Sequence, residues 1–190
     1  MPDPDAHLRW RELSRRSIAS GPIFDVVAAQ RVSSNGRTGD FWILDARDWV
    51  NVVPVVRGAD GRRRFLMVRQ YRHGADMITT EFPAGMVERG EDPAAAASRE
   101  LLEETGHRAG RLTLISDLRP NPAFMTNRCF TFLAEDLVRV APVSLDELES
   151  LEPVELSETD LDERAGRGEL VNAMTMVALM AWHRRQNPRA

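Results

Sequence analysis

Several residue types are scarce or missing from this chain of 190 residues. Lysine is absent, so arginine supplies all 25 basic side chains, and the formal net charge is −4. A net negative chain without a basic tract has no electrostatic basis for general nucleic-acid binding, so we expect no nucleic-acid partner. The single cysteine, Cys129, excludes an internal disulfide and is compatible with a reducing compartment.

Long apolar runs are missing as well. The most apolar segment, near Leu170 to Trp182, contains Asn172 and is too short to span a bilayer, so no membrane partner is expected. The first ten residues, MPDPDAHLRW, carry no apolar stretch like that of a signal peptide, and we predict a cytoplasmic location. With 43% hydrophobic residues, the chain suits one domain, or one domain with a small appendage.

The most informative stretch is GMVERGEDPAAAASRELLEETG, residues 85–106. Pro93 suits the first position of a helix, Asp92 suits the N-cap, and the alanine run favours helix. Three glutamates follow at helical spacing: Glu100, Glu103 and Glu104. Side chains at this spacing project from one face, where like charges repel one another. A divalent cation removes that repulsion, and carboxylate oxygens suit Mg²⁺ or Mn²⁺, so we predict a metal-binding helix.

The alternative is an ordinary solvated helix that bears glutamates. Such a helix requires neither the flanking glycines, Gly85 and Gly106, nor the remote Glu91. The spacing of Gly85, Glu91 and the segment RELLEETG, residues 99–106, resembles the Nudix box at every charged and glycine position. His107 is the one departure, because the family usually has an aliphatic residue there.

The resemblance implies a role for each residue of the box. Glu100 and Glu104 are expected to be direct metal ligands, with Glu103 beside them as a ligand or as the general base. In family structures the carbonyl of the alanine before the first box glycine also helps to hold metal, and here that residue is Ala84. A small residue followed by glycine lets the backbone approach an ion closely.

Four further box residues are expected to be mainly structural. Arg99 should pair with a carboxylate of the box such as Glu91, which would hold the loop in shape. Glu91 is therefore predicted to be structural first, and an outer partner of the metal second. The remaining two are the box glycines, Gly85 and Gly106.

Two motifs before the box narrow the resemblance to the branch that hydrolyses ADP-ribose and nucleoside diphosphate sugars. They are RQYR, residues 69–72, and EFPAG, residues 81–85. Pro122 and the C-terminal segment also match that branch, and the similarity covers roughly residues 12–186. Arg72 would bind a phosphate oxygen with its guanidinium, or else form only a surface ion pair. Glu81 is expected to order the loop or to contact the substrate.

A general base is still needed to accept a proton from the attacking water. In this branch the base is often a glutamate of a mobile loop outside the box. The matching acidic loop is Asp146 to Glu152, in which we favour Glu147 first and Glu149 second. The alternative is a solvated acidic loop without a catalytic role.

The loop from Asn121 to Asn127 departs from the branch. ADP-ribose enzymes commonly have a serine-proline-glycine loop that ends in glutamate, whereas here Ala123 replaces the glycine and Asn127 the acid. That loop lies near the sugar end of the ligand in relatives, so the diphosphate linkage is a safer prediction than the sugar. Asn127 and Phe124 are candidate substrate-binding residues, although Phe124 could instead belong to the core.

Strand and turn signals complete the fold prediction. Residues 1–47 are predicted to form a small three-stranded antiparallel sheet, with a hairpin turn at Asn35-Gly36, which cannot be stable alone. Residues 48–190 are predicted to be the catalytic domain, of the α+β class, with a mixed sheet between helices in an α/β/α sandwich. Pro54, inside the predicted strand 51–56, favours a sheet edge or a bulge. By resemblance, residues 1–47 contribute to a homodimer and to the nucleoside pocket.

These observations predict an enzyme. It would be a Mg²⁺-dependent hydrolase, with Mn²⁺ as a possible substitute, that cleaves a nucleoside diphosphate sugar into a nucleoside monophosphate and a sugar phosphate. ADP-ribose is the favoured small-molecule substrate. The alternatives are another nucleoside diphosphate derivative, such as a GDP-mannose-like sugar, a dinucleoside polyphosphate or a nucleoside triphosphate, or a nucleotide-sugar sensor that does not catalyse.

Overall fold

The computed structural model describes residues 3–58, 60–145 and 147–187. The chain divides into two compact units. The N-terminal unit contains the described residues up to Arg47 together with Arg119–Arg128. The main unit contains Asp48–Leu118 and the described residues from Cys129 onward. The segment Arg119–Arg128 was not predicted to belong with the N-terminal residues.

The N-terminal unit is a three-stranded antiparallel sheet, as predicted. Its strands, in the order β1-β2-β3, are β1 (Trp10–Ser20), β2 (Phe24–Ser33) and β3 (Thr38–Ala46). Gly36 has a φ of +84° in the turn between β2 and β3, a conformation that glycine adopts without strain. The segment Arg119–Arg128 joins the sheet through β3, because Leu44 N–H donates to Phe124 O at 2.8 Å and Leu44 O accepts from Thr126 N–H at 3.1 Å.

The main unit contains a seven-stranded mixed sheet and three helices. The strands are β4 (Trp49–Arg57), β5 (Arg63–Arg72), β6 (Met77–Glu81), β7 (Ala84–Met86), β8 (His107–Leu118), β9 (Cys129–Arg139) and β10 (Leu151–Ser157). Their order is β10-β5-β4-β9-β8, with β6 paired to β5 and β7 paired to β4. The β4–β9 pair is parallel and the other pairs are antiparallel. The helices are α1 (Pro93–Thr105), α2 (Glu158–Gly166) and α3 (Ala173–Gln186).

Helices cover both faces of this sheet. Successive residues of a strand point to opposite faces, and in β4 the fully buried neighbours Val52 and Val53 belong to different core clusters. One cluster joins the sheet to α1 through Ala96, Ala97 and Leu101. The other joins it to α2 and α3 through Leu161, Ala178, Leu179 and Trp182. The prediction of an α+β fold with a mixed sheet between helices is confirmed.

Of the two alternatives predicted for Pro54, a sheet edge or a bulge, the sheet edge is wrong. Strand β4 is central, with β5 on one side and β9 on the other. Pro54 lies where β4 changes its antiparallel partner, because β7 pairs with Trp49–Asn51 and β5 pairs from Val55 onward. The missing N–H of proline therefore falls between two ladders, where neither ladder needs it.

Local side-chain caps determine where the helices begin. Asp92 accepts hydrogen bonds from Ala94 N–H at 2.9 Å and from Ala95 N–H at 3.3 Å, as expected for the N-cap of α1. Ser157 accepts from Asp160 N–H at 3.0 Å and caps α2. Asn172 caps α3, which therefore begins at Ala173 rather than at Val171 as predicted. Among the described residues, no helix combines the length and the apolar character needed to cross a membrane.

Candidate active site

Two glutamates of helix α1, Glu100 and Glu104, lie next to strand β7. Glu104 is 3% exposed, and burial together with the nearby charge of Glu100 raises its pKa from 4.5 to about 8. Its Oε2 accepts a hydrogen bond from Ala84 N–H at 3.1 Å. Burial also raises the pKa of Glu100, because a partly desolvated carboxylate is disfavoured in its charged form. The two carboxylates are therefore held close together in a poorly solvated place.

The backbone of β7 runs directly against this pair. A Cβ atom added to Gly85 would lie 2.0 Å from Glu100 Oε1 and 2.1 Å from its carboxyl carbon. Such distances are far inside van der Waals contact, so a side chain at this position would displace the Glu100 carboxylate from where it lies. The first glycine of the box thus leaves open the space that the Glu100 carboxylate occupies, and the role of Gly85 is steric.

Arg99 holds the surrounding loop in place through several hydrogen bonds. Its Nε and Nη2 donate to the two carboxylate oxygens of Glu91 at 3.0 Å and 3.1 Å, so the expected pair is present. Nη2 also donates to Met86 O at 3.0 Å, which ties α1 to the end of β7. The remaining nitrogen, Nη1, donates to Glu100 Oε1 at 2.7 Å and to Glu103 Oε2 at 3.1 Å.

The donor chemistry suits a hard divalent cation. Within residues 3–58, 60–145 and 147–187, no three acidic, histidine or cysteine side chains are arranged to hold a metal ion. Arg99 instead supplies the positive charge that Glu100 and Glu103 share. Glu104 has no such cationic hydrogen-bond partner in the part of the chain described. Its pKa is raised because no bonded positive charge offsets the effect of burial. Buried carboxylates with uncompensated charge are the kind of ligand that Mg²⁺ or Mn²⁺ would stabilise.

Arg72 and Glu81 form a second charged group in the main unit. Arg72 Nε and Nη2 donate to the two oxygens of Glu81 at 3.0 Å and 2.8 Å, a bidentate pair. The Glu81 side chain is 2% exposed, whereas that of Arg72 is 40% exposed. The pair is therefore more than a surface contact. The charges of Glu104 and Glu149 contribute to raising the pKa of Arg72, so the guanidinium lies within electrostatic reach of the box.

Two polar residues that sequence reasoning did not select complete this group. Thr79 Oγ1 donates to Glu81 Oε1 and Asn172 Nδ2 donates to Glu81 Oε2, both at 2.5 Å. Burial opposes ionisation of Glu81, but the hydrogen bonds from Arg72, Thr79 and Asn172 hold its pKa below the ordinary value. The available signal for Asn172 was its position as the one amide in an otherwise apolar segment, just where a helix begins.

The acidic loop is shorter than predicted. Leu151 and Glu152 belong to β10, where they pair with Gln70 and Arg69, and Asp146 lies outside the described residues. The chain leading to the loop is fastened to the end of α1, because Ser144 N–H donates to Glu103 O at 2.8 Å. Glu149 contributes to the raised pKa values of both Glu100 and Glu104. The loop therefore brings a carboxylate close enough to influence the box.

Gly106 connects the box to the same loop. It ends α1 with a φ of +73°, and its carbonyl accepts from Val140 N–H at 2.9 Å and Ala141 N–H at 3.2 Å. A Cβ atom at this position would lie 2.2 Å from Ala141 O. Gly106 therefore acts both as a left-handed C-cap and as a close contact with the segment that leads to Glu149.

The two candidates in the loop 121–127 belong to the N-terminal unit. Phe124 is 43% exposed, so it is not a core residue there, and Asn127 is 1% exposed. Neither side-chain amide atom of Asn127 has a hydrogen-bond partner among the described residues. Their role in substrate binding stays a prediction.

A comparison with family models agrees with this geometry. The model described as NUDIX domain matches residues 47–174, which is more than half of the chain. The chain therefore belongs to the Nudix family and is a hydrolase that acts on pyrophosphate bonds.

Individual relatives are similar over almost the whole chain. An ADP-ribose pyrophosphatase of Bacillus subtilis (strain 168) is 31% identical over 173 residues, which cover 90% of this chain and 91% of the relative. An ADP-ribose pyrophosphatase of Mycobacterium tuberculosis (strain ATCC 25618 / H37Rv) is 33% identical over 176 residues, covering 92% and 83%. The crystal structure of an ADP compounds hydrolase superposes with a TM-score of 0.79 at 26% identity, covering 94% of this chain and 96% of that one.

Proposed function

We propose that this Nudix hydrolase cleaves the pyrophosphate bond of a nucleoside diphosphate sugar, with ADP-ribose as the favoured substrate. The products would be a nucleoside monophosphate and a sugar phosphate. The observation that carries the proposal is the pair of neighbouring carboxylates, the buried Glu104 and the partly buried Glu100, with the half-exposed guanidinium of Arg72 in electrostatic reach. The names of the relatives support ADP-ribose as the first substrate to test.

We propose Mg²⁺ as the cofactor, with Mn²⁺ as a possible substitute. Glu100 and Glu104 would hold it, with the backbone carbonyl of Ala84 and with Glu103 beside them. When bound, the cation shields the charge of the diphosphate and acidifies water. Arg99 would keep Glu100 and Glu103 oriented, and its ion pair with Glu91 would keep the loop in place. Arg72, clamped by Glu81, would bind a phosphate oxygen.

For the general base we propose Glu149 ahead of Glu147, reversing the order favoured from sequence. The support is electrostatic, because Glu149 contributes to the pKa values of Glu100, Glu104 and Arg72. Replacing Glu149 with glutamine should lower kcat about 10²- to 10⁴-fold with little change in KM, since proton acceptance occurs only in the transition state. Glu147→Gln is the matched control and should retain activity. Equal losses in the two variants would contradict the assignment.

We propose a homodimer that forms through the N-terminal unit. Strand β1 is exposed along almost its whole length, which is unusual for a strand that carries large apolar side chains. Trp42 is 63% exposed and Trp10 is 43% exposed on the same sheet. A second copy of the chain would cover this apolar surface. The contribution of residues 1–47 to a nucleoside pocket, the cytoplasmic location and the lack of a nucleic-acid partner stay predictions.

The direct test is a panel of nucleotide sugars, dinucleoside polyphosphates and nucleoside triphosphates with Mg²⁺ in ¹⁸O-labelled water, with product identification. ADP-ribose should yield a monophosphate and a sugar phosphate, and the label shows which phosphorus is attacked. The variant E103Q/E104Q should lose this activity, while Glu152→Gln, at an exposed site in β10, should keep it. Full turnover by the double variant would overturn the proposal. Binding without turnover by the wild-type protein would favour a sensor.

A further inference from the structure

The side-chain amide of Asn172 has two faces with different functions. Its Oδ1 accepts hydrogen bonds from Met174 N–H at 2.8 Å and from Thr175 N–H at 3.3 Å, which caps α3. Its Nδ2 donates to Glu81 Oε2 at 2.5 Å, across 91 residues of sequence. An N-cap needs only the oxygen, so the contact made by the nitrogen is an additional feature of this helix start.

The acceptor, Glu81, is a buried carboxylate whose oxygens are fully used. Oε1 accepts from Arg72 Nε at 3.0 Å and from Thr79 Oγ1 at 2.5 Å. Oε2 accepts from Arg72 Nη2 at 2.8 Å and from Asn172 Nδ2 at 2.5 Å. A carboxylate with two donors on each oxygen is held in one orientation, because any rotation of its plane breaks several bonds together.

The start of α3 is itself fixed to the sheet. Asn51, which is 2% exposed in β4, donates from Nδ2 to Met174 O at 3.1 Å. Thr175, in the same first turn, is 1% exposed. The first turn of α3 is therefore held in a fixed position, and the hydrogen bond from Asn172 fixes the Glu81 carboxylate relative to it. The bidentate pair with Glu81 in turn orients Arg72, which lies at the end of β5. The Arg72 side chain is 40% exposed there.

We infer that Asn172 is a positioning residue for substrate binding: it holds the Glu81 carboxylate in the orientation that aims the Arg72 guanidinium at the substrate diphosphate. This inference rests on the proposed function, in which Arg72 binds a phosphate oxygen. Among the described residues, Asn172 makes no hydrogen bond to the box glutamates or to the acidic loop, so its effect on the reaction passes through Glu81 and Arg72.

Two substitutions separate the cap from the positioning contact. Serine and aspartate are N-caps about as good as asparagine, so Asn172→Ser and Asn172→Asp should keep α3. Serine is too short and lacks the side-chain NH₂ that reaches Glu81, and aspartate puts a second carboxylate against it. With ADP-ribose and Mg²⁺, N172S should raise KM about tenfold while kcat changes less than about twofold, since a binding contact common to ground and transition states is weakened. N172D should raise KM further.

A matched control tests whether any weakened cap has the same effect. Ser157 caps α2, and its side-chain hydrogen bonds are made with Asp160 and not with Glu81 or Arg72. Ser157→Ala should lower the melting temperature by a few degrees, on the order expected for a lost cap, and should leave KM unchanged. The decisive measurement is the double variant N172S/R72K. Lysine cannot form the bidentate pair, so N172S should add little to the KM of R72K.

The outcomes are distinct. A raised KM in N172S that disappears in the R72K background supports the inference. A lower kcat at unchanged KM overturns it, because that result means loss of folded enzyme. An effect of N172S on KM that persists undiminished with R72K also overturns it, because the effect then does not pass through Arg72. Misfolding of both N172S and N172D would also overturn it in favour of a structural role. Wild-type protein that turns over no compound of the panel would refute the proposed function, and with it this inference.

Discussion

Because the Glu104 carboxylate is buried, the stability of the metal-free protein should depend on pH. In the folded chain its pKa is raised from 4.5 to about 8 by burial and by the charge of Glu100. The folded protein thus binds this proton more tightly than the unfolded chain does. The stabilising contribution is fully present below about pH 4.5 and is lost as the pH rises through about 8.

The size of the effect follows from the same values. A tenfold change in proton affinity corresponds to about 1.4 kcal/mol, so a pKa raised from 4.5 to about 8 corresponds to at most about 5 kcal/mol. That is a large part of the stability of an ordinary domain. The pKa values of Glu81 and Glu91 are lowered, so these two carboxylates titrate at more acidic pH. Between pH 4.5 and about 8 the change in stability therefore comes from Glu104 and Glu100.

Urea unfolding in the presence of EDTA, at intervals from about pH 5 to about pH 9, measures this loss. The wild-type free energy of unfolding should fall from about pH 5 to about pH 8 and level off above that. Glu104→Gln should flatten the curve and exceed the wild type at the alkaline end, because the neutral amide can still accept from Ala84 N–H. Mg²⁺ should restore wild-type stability, with release of protons that calorimetry in buffers of different ionisation enthalpy detects.

The matched control is Glu152→Gln, which removes an exposed carboxylate and should follow the wild-type curve. The reasoning would be refuted if the metal-free wild type were equally stable across the range, or if E104Q changed with pH as the wild type does. Either result would mean that ionisation of the Glu104 carboxylate does not destabilise the folded protein. The site would then hold no uncompensated negative charge for a cation to neutralise.

Three further predictions concern close contacts and assembly. Gly85→Ala should lower kcat/KM at least about 100-fold in a protein with native circular dichroism, because the new Cβ would overlap Glu100; unchanged kinetics would contradict this. Gly106→Ala should destabilise the fold by about 2 kcal/mol in urea unfolding, because of its φ of +73° and its contact with Ala141, and a loss under about 0.5 kcal/mol would be too small. Trp42→Glu should convert a dimer into monomers in light scattering, whereas a dimer that persists would place the interface elsewhere.

Much of the main site could be predicted because it is local in sequence. Residues 85–106 form one turn and one helix, so the helical period alone puts Glu100, Glu103 and Glu104 on one face. The pair of Arg99 with Glu91 spans only eight residues. The same holds for the caps, Asp92 and Ser157, whose partners lie within three residues. Contacts between residues this close in the chain follow from their spacing, which the sequence gives directly.

Other features depend on contacts between distant segments. Pro54 carries a local signal for a sheet edge, yet β4 is central because two different strands pair with its two halves. Residues 119–128 join the N-terminal sheet through Leu44, about eighty positions earlier in the chain. Whether Glu147 or Glu149 faces the box depends on how the loop is fastened to α1, which neither residue reveals by its type.

The sequence by itself determined the family, the helix with its glutamates on one face and the class of chemistry, because these reside in residue types at short, regular spacing. Only the tertiary structure decided that Arg72 is clamped by a buried Glu81 and that Asn172 supports this pair from the start of α3. The physical reason is that a buried charge must find donors wherever the folded chain brings them. Those donors come from strands and helices whose separation in sequence carries no information about their distance in space.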